Sequence, residues 1–166
     1  SGPFADYGKQ MEDGIKAYQR LHGTTAGGRQ VQIIVKDTTG PVPDVAKRLA
    51  QELVVRDKVD FLAGFGLTPE ALAVAPIAQQ AKKPMVIFNA ASSSITTKSD
   101  YVTRVSMTLP QISTPIASWA LKNGIKQVAT VVADYAPGID AENAFKQTFT
   151  AGGGQVVEAV RVPLRN

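Results

Sequence analysis

Two loops of this 166-residue sequence carry hydroxyl groups at positions that favour binding of a small anion. Thr68 precedes Pro69 and Glu70 at a predicted helix start, where threonine suits the N-cap, proline the first turn and a carboxylate the positive end of the dipole. The first backbone N–H groups of a helix have no intrahelical acceptor, so such a start is an intrinsic anion site. Ser92–Ser94 form the second loop. The two loops together would hold a carboxylate with neutral donors; alternatively, Thr68 only caps its helix and the serines only form turns.

Residues for catalysis or metal binding are not grouped in this sequence. The only histidine, His22, falls at the end of a predicted helix, where we expect it to be exposed. The serines of Ser92–Ser94 have no neighbouring base that would activate a nucleophile. Gly64-Phe65-Gly66 follows a predicted strand, but Pro69 stands where a dinucleotide-binding loop has its third glycine. We therefore expect no catalytic residue, no metal site and no cofactor, and hence no enzyme.

The composition is that of an ordinary globular protein, with 44% hydrophobic and 19% charged residues. The net charge of +4 comes from scattered residues, and the only adjacent basic pairs are Lys47-Arg48 and Lys82-Lys83, so we expect no nucleic-acid partner. No apolar run approaches the roughly 18 residues of a membrane helix. The absence of cysteine excludes thiol catalysis, disulfides and thiolate metal sites. The opening residues do not have the basic-apolar-small pattern of a signal peptide.

Strand and helix periodicities alternate along the chain. The predicted strands are Val31–Val35, Phe61–Ala63, Pro84–Phe88, Tyr101–Val105, Val128–Val132 and Val156–Val160. The predicted helices are Tyr7–Leu21, one beginning near Pro43, Thr68–Ala81, one around Ile112, Ile116 and Trp119, and one with the stripe Ala141, Phe145 and Phe149. This order predicts an α/β fold with parallel strands covered by helices on both faces. Ligands of such sheets bind beyond the carboxyl ends of the strands, which selects loops 65–68, 89–94 and 134–138.

Both ends of the sequence interrupt this alternation. Ser1-Gly2-Pro3 runs directly into a helix where a strand is expected first, and Arg161–Asn166 follow the last predicted strand without a further element. We expect the sequence to be a piece of a larger protein that is not a stable functional unit by itself.

Four segments carry a family resemblance: SGPFADYG (1–8), GFGLTPEA (64–71), FNAASSS (88–94) and DYAPGID (134–140). In order and spacing, and over essentially all 166 residues, the chain resembles the periplasmic substrate-binding proteins of the branched-chain amino acid type, which serve ABC importers. The resemblance implies the type I periplasmic-binding-protein fold, with two Rossmann-like lobes of parallel sheet and flanking helices. It implies that residues 1–106 are most of the N-terminal lobe, without its first strand, and that residues 107–166 begin the C-terminal lobe.

The resemblance also implies a set of ligand contacts: Tyr7, Leu67, Thr68, Ala90, Ala91, Ser92 and Tyr135. Leu67 and Thr68 would hold the ligand carboxylate, and the 90–92 loop would take an ammonium through a carbonyl and a hydroxyl. Tyr7 would lie beside the ligand side chain, with Tyr135 as the first contact from the second lobe. Phe65 stands where several relatives have a serine-rich run. Its ring would either suit an aromatic ligand or pack in the core.

The implied function is that of a non-enzymatic, periplasmic solute-binding protein. It would capture a small carboxylate, either a branched-chain amino acid or an aromatic acid, between its lobes and deliver it to the membrane permease of an ABC importer. The remainder of its own chain would complete the pocket, including the acidic partner of an amino acid's ammonium beyond Asn166. The alternatives are a ligand sensor or receptor on the same fold and a small α/β enzyme.

Overall fold

The computed structural model describes residues 1–2 and 4–164. Within these residues five helices form: α1 (Ala5–His22), α2 (Pro43–Val55), α3 (Thr68–Ala81), α4 (Leu109–Lys122) and α5 (Ala136–Ala151). The strands are β1 (Thr25–Ala26), β2 (Arg29–Gln30), β3 (Leu62–Gly64), β4 (Met85–Ile87), β5 (Val102–Arg104), β6 (Gln127–Ala133) and β7 (Gln155–Val162). Pro3 of the predicted opening loop and the last two residues of the predicted 161–166 tail lie outside the described residues.

The strands form two parallel sheets and a short hairpin. Strands β3, β4 and β5 lie side by side in that order, with Leu62 opposite Met85 and Met85 opposite Val102. Strands β6 and β7 form the second parallel sheet, whose register shifts between Val128 and Ala129. The hairpin of β1 and β2 is antiparallel. Parallel strands joined through helices confirm the predicted α/β class.

The first hydrophobic core lies between the β3–β5 sheet and helices α2 and α3. Met85 and Ile87 point into it from alternate positions of β4, as expected for a period of two. Helix α3 presents small side chains to it at helical spacing, which lets the helix approach its neighbours closely. The fully buried members are Ala71, Val74, Ala75, Ala78, Met85, Ile87 and Ile95. This core holds the carboxyl ends of β3 and β4 in fixed positions.

The second core lies between α4, α5 and the β6–β7 sheet. Phe149 is fully buried, its ring centroid 5.3 Å from that of Phe145, and Ala117 and Ala120 form the buried face of α4. A Cβ on Gly154 would lie 2.4 Å from the Phe149 ring, so only glycine fits there. The apolar side chains from which α4 was predicted, Ile112, Ile116 and Trp119, are instead largely exposed to solvent. The exposed fraction of Trp119 is 59%.

The predicted strand Val31–Val35 is wrong. These residues are in no sheet of the described chain, and Val35 is 61% exposed. The valine and isoleucine content favours a strand, but a strand forms only where a second backbone completes the hydrogen-bond ladder. The segment lies instead against α1, where Val31 and Ile33 line an apolar groove together with Met11 and Ile15.

Candidate ligand-binding site

A cavity of about 330 Å³ lies where loops from the two parallel sheets meet. It is lined by Phe4, Tyr7, Gly66, Leu67, Thr68, Asn89, Ala90, Ala91, Leu109, Val132, Ala133, Tyr135, Pro137, Gly138 and Leu164. All three loops selected at the carboxyl ends of predicted strands contribute to it. Of the eight residues predicted as ligand contacts, the structure brings six together here: Tyr7, Leu67, Thr68, Ala90, Ala91 and Tyr135.

Thr68 is the first residue of α3 and not its N-cap, so the predicted capping role is wrong. Leu67 occupies the N-cap in an extended conformation and makes no side-chain cap. The Thr68 side chain is buried, and its Oγ1 accepts a hydrogen bond from the backbone N–H of Ser92 at 3.4 Å. A hydroxyl that accepts one bond still has its proton to donate. The helix therefore begins one residue earlier than expected, and the hydroxyl belongs to the cavity wall.

The amino end of α3 gives this wall a positive electrostatic potential. The first-turn N–H groups of the helix lack intrahelical acceptors, and the helix dipole adds to their partial charge. Glu70 lies in the same turn. Burial raises the pKa of its carboxyl, which favours the neutral form beside the helix start. An anion at this end of the cavity would meet donors on the side of Leu67 and Thr68.

Aromatic side chains form the sides of the cavity. Phe4 and Tyr7 stack with ring centroids 6.2 Å apart. Tyr135 follows β6 of the other sheet. Burial raises the pKa of its phenol, and the neighbouring Tyr7 contributes to the same shift. A phenol is protonated at neutral pH even at its ordinary pKa of about 10, so the Tyr135 hydroxyl can donate a hydrogen bond. The cavity thus combines flat apolar surface with neutral donors.

The turn that presents Tyr135 depends on close backbone packing. Its backbone N–H donates to the carbonyl oxygen of Ala133 at 2.9 Å, so the chain turns sharply from β6 into α5. A Cβ on Gly138 would lie 1.9 Å from the same carbonyl oxygen. Only glycine therefore lets α5 begin against the end of β6, and this contact sets the position of Tyr135.

Two of the predicted contacts, Phe65 and Ser92, lie outside the cavity lining. Phe65 packs against the first core, with a left-handed backbone at φ 64°, and its carbonyl accepts from the N–H of Ala90 at 3.0 Å. Ser92 is buried, with its Oγ 3.0 Å from that of Ser94. Both residues hold the loops that reach the cavity.

Sequence reasoning missed three polar side chains around these loops. The guanidinium of Arg104 donates to the carbonyl oxygens of Ala90 and Ser92. Asn89 donates through Nδ2 to the carbonyl oxygen of Gly66 at 2.8 Å. Asp140 accepts from the backbone of the 89–94 loop. Arg104 and Asn89 have a sequence signal, because they lie near the end of a predicted strand and within a loop that the sequence selects. Asp140 lies in α5, two residues beyond the selected 134–138 loop.

Within residues 1–2 and 4–164, no three His, Cys, Asp or Glu residues lie close enough together to hold a metal ion. Among the helices of the same residues, none has both the length and the apolar character needed to cross a membrane.

Comparison with known proteins identifies relatives over the whole chain. The model of the family described as periplasmic binding protein matches residues 1–166. The Leu/Ile/Val-binding protein homolog 6 of Brucella abortus (strain 2308) is 55% identical over 164 residues, which are 99% of this chain and 42% of the relative.

Solved structures agree with this assignment. The solute binding protein of an ABC transporter from Rhodopseudomonas palustris BisB5, in complex with 3,4-dihydroxy benzoic acid, is 53% identical with a TM-score of 0.97. It is matched over 100% of this chain and 46% of its own. A second solute binding protein from R. palustris, in complex with 4-hydroxybenzoate, is 52% identical with a TM-score of 0.97, over 100% of this chain and 45% of its own.

The chain therefore spans less than half the length of these relatives. The similarity confirms the predicted type I periplasmic-binding fold and the resemblance to ABC transporter substrate-binding proteins, as does the parallel α/β architecture. The chain belongs to the periplasmic binding protein family.

Proposed function

We propose that this chain forms the ligand-contacting part of an extracytoplasmic solute-binding protein for an aromatic monocarboxylate. Residues 1–106 belong to one lobe and residues 107–166 to the other, and the ligand lies between them. The loaded protein delivers the ligand to the membrane permease of an ABC importer. The protein is not an enzyme, since its work is capture and release.

The observation that carries this proposal is the composition of the cavity. One wall offers the helix start at Leu67 and the hydroxyl of Thr68, and the opposite side offers the neutral phenol of Tyr135. Tyr7 and Phe4 add flat apolar surface, and no Asp or Glu is among the described lining residues. The hydrogen-bond donors suit the carboxylate of a ligand, and the aromatic surface beside them suits a ring. This combination favours a benzoate-type acid. The volume of about 330 Å³ falls within the roughly 300–1,000 Å³ usual for small-molecule sites.

The names of the relatives support both ligand classes under consideration. The two R. palustris proteins, at 52–53% identity, hold hydroxylated benzoates, whereas the Brucella relative is named for leucine, isoleucine and valine. The cavity favours the first class, because Phe4 and Tyr7 provide flat aromatic surface beside the donors at the start of α3.

Each predicted contact has a part in this proposal. Thr68 Oγ1 and the backbone N–H groups of Leu67 and Ala91 hold the carboxylate, while Tyr7 and Tyr135 flank the ring. A further group of residues positions these contacts: Phe65 and Ser92 fix the loops from behind, and Ala90 continues the wall. Closure of the two lobes then buries the ligand, because the closed state binds it more tightly than the open state.

A thermal-shift screen of the full-length protein tests the ligand class. A ligand that binds only the native state raises the melting temperature by mass action. We expect shifts with benzoate and 4-hydroxybenzoate and none with leucine, isoleucine or valine at equal concentration. A shift with the amino acids alone would replace the aromatic acid with a branched-chain amino acid. If the bound ligand is recovered chemically unchanged, the protein does not turn it over as an enzyme would. If cells that lack the protein no longer take up the ligand, the protein acts in transport and not in sensing.

A further inference from the structure

Asn89 links the two binding loops of the first sheet through one end of its side-chain amide. It follows β4 and lines the cavity, and its Nδ2 donates to the carbonyl oxygen of Gly66 at 2.8 Å. A carbonyl oxygen only accepts hydrogen bonds, so the group that faces Gly66 must be the NH₂ end of the amide. The orientation of the Asn89 amide is therefore set by its partner.

Backbone hydrogen bonds on both sides hold Asn89 in place. The Phe88 N–H donates to the carbonyl oxygen of Gly64 at 2.7 Å. The Ala90 N–H donates to the carbonyl oxygen of Phe65 at 3.0 Å. Asn89 lies between these two donors, and its side chain supplies the bond to the next carbonyl of the facing loop. Such anchoring of the residue and its amide keeps a binding group in one geometry.

The other end of the amide, Oδ1 of Asn89, is an acceptor that remains accessible. An amide oxygen has two lone pairs. Within residues 1–2 and 4–164 no group donates to Oδ1, and this oxygen is not among their fully buried side-chain atoms without a partner. An accessible acceptor on a residue of the cavity wall is suited to a hydrogen-bond donor of the ligand.

Asn89 lies on the side of the cavity that the ligand ring would occupy. Gly66, to which the amide is bonded, adjoins Tyr7, because a Cβ on Gly66 would lie 4.0 Å from the Tyr7 Cβ. The donors for the carboxylate come from Leu67 and Thr68, which follow Gly66 in the same loop. A carboxylate has no proton to donate to Oδ1, whereas a hydroxyl group on the ring has one.

We propose that Asn89 is a specificity-determining residue that accepts a hydrogen bond from a hydroxyl group on the ligand ring. The site consequently prefers a hydroxybenzoate to a benzoate with an apolar group of the same size. An analogue without the hydroxyl binds more weakly, because it leaves the amide oxygen without a partner in the closed site. This inference rests on the proposed function, whose ligand class it narrows.

Ligand pairs that differ in one group test the preference on the full-length wild-type protein. The pairs are 3-hydroxybenzoate with 3-methylbenzoate and 4-hydroxybenzoate with 4-methylbenzoate, since hydroxyl and methyl groups are similar in size and only the hydroxyl donates. We expect one hydroxy acid to bind at least about fivefold more tightly than its methyl partner in calorimetry. Smaller ratios in both pairs would overturn the proposal.

A methoxy acid separates donation by the ligand from acceptance. The methoxybenzoate with its substituent at the preferred position has an oxygen that accepts but cannot donate. We expect it to bind no more tightly than the methyl acid. If it binds as tightly as the hydroxy acid, the ligand oxygen is recognised by a donor and the role proposed for Asn89 is wrong.

Variants at Asn89 assign the preference to this side chain. In Asn89→Leu the affinity ratio of the preferred pair falls to within about twofold of one. Loss of the bond to Gly66 weakens both acids alike, so the ratio separates recognition of the hydroxyl from support of the loop. Asn123→Leu is the matched control and should keep the wild-type ratio. The Asn123 amide also donates through Nδ2 to a backbone carbonyl, that of Trp119 at 2.8 Å, but at the exposed end of α4.

Asn89→Ala provides the same measurement if the leucine variant does not fold, because alanine removes the amide without adding bulk. A ratio that stays above the twofold limit in the folded variant contradicts the proposal. If none of these acids binds the wild-type protein, the proposed function itself fails and this inference with it.

Discussion

Ser93 and Asp140 are joined by two hydrogen bonds, although 47 residues separate them. The backbone N–H and the hydroxyl of Ser93 donate to different oxygens of the same carboxylate, at 2.7 and 2.9 Å. Ser93 lies in the loop after β4 and Asp140 in α5, so the pair connects the parts of the chain that carry the two sheets. Ala91 and Gly138, each two residues from one of the partners, line the cavity.

Replacement of Asp140 by alanine should weaken ligand binding in the full-length protein. Both hydrogen bonds are lost, and each stabilises the arrangement in which the two walls of the cavity are together. Because the pair is exposed, its contribution is modest, and we expect the dissociation constant for 4-hydroxybenzoate to rise about three- to tenfold. Isothermal calorimetry measures this change. Asp13→Ala, at an exposed carboxylate of α1, is the control and should bind as wild type. Equal affinity of the two variants would show that the Ser93–Asp140 pair has no part in binding.

Replacement of Thr68 by alanine tests the buried hydroxyl. If Thr68 Oγ1 donates to the ligand carboxylate, its removal should cost about 1–3 kcal/mol of binding free energy. Thr68→Ser keeps the hydroxyl and should retain most of the affinity in the same titration. An unchanged dissociation constant in Thr68→Ala would limit the hydroxyl to its 3.4 Å bond with the Ser92 N–H.

Variants of Phe65 separate packing from backbone strain. Phe65→Ala removes contacts with the first core, and because the ring is only partly buried we expect a loss of about 1–3 kcal/mol in the free energy of unfolding. Phe65→Gly loses the same ring but relieves the left-handed backbone at φ 64°, so it should be more stable than the alanine variant by about 1 kcal/mol. Chemical denaturation gives both values. An alanine variant of wild-type stability with altered ligand preference would instead make Phe65 a ligand contact.

The stability of the second sheet should depend on pH through Glu142. Its carboxylate is buried, and hydrogen bonds from Lys146 at 3.0 Å and from Arg161 lower its pKa below the ordinary 4.5. The stabilisation is therefore fully present above pH 4.5 and is lost as the pH falls through the lowered value. Melting temperatures of wild type and Glu142→Gln should differ at pH 7 and converge in acid. A constant difference from pH 7 to pH 3 would contradict this role.

The local sequence was sufficient to predict most of the elements. Helix α3 ends at Ala81 as predicted and begins with Thr68, the residue predicted as its N-cap, since Pro69 and Glu70 mark its start and apolar spacing marks its length. The predicted strands at β3 to β7 agree with the structure to within two residues at each end, because short apolar runs bounded by glycine and polar turns are strand signals. Because the strands were predicted to be parallel, the loops after their carboxyl ends could be selected as the ligand-binding edge of the sheet.

Tertiary structure decided the features that depend on a partner distant in sequence. Val31–Val35 has the composition of a strand, yet no described backbone pairs with it. Phe65 packs against the first core and the Ser92 N–H donates to Thr68, so these two predicted contacts lie outside the cavity lining. Arg104 has no visible role until β5 lies beside β4, because only then do the carbonyls of the 90–92 loop come within reach of its guanidinium. The sequence by itself determined most of the helices and strands and the loops that reach the cavity, since these depend on neighbouring residues. The fold alone decided which side chains face the cavity, since that depends on contacts between segments far apart in the chain.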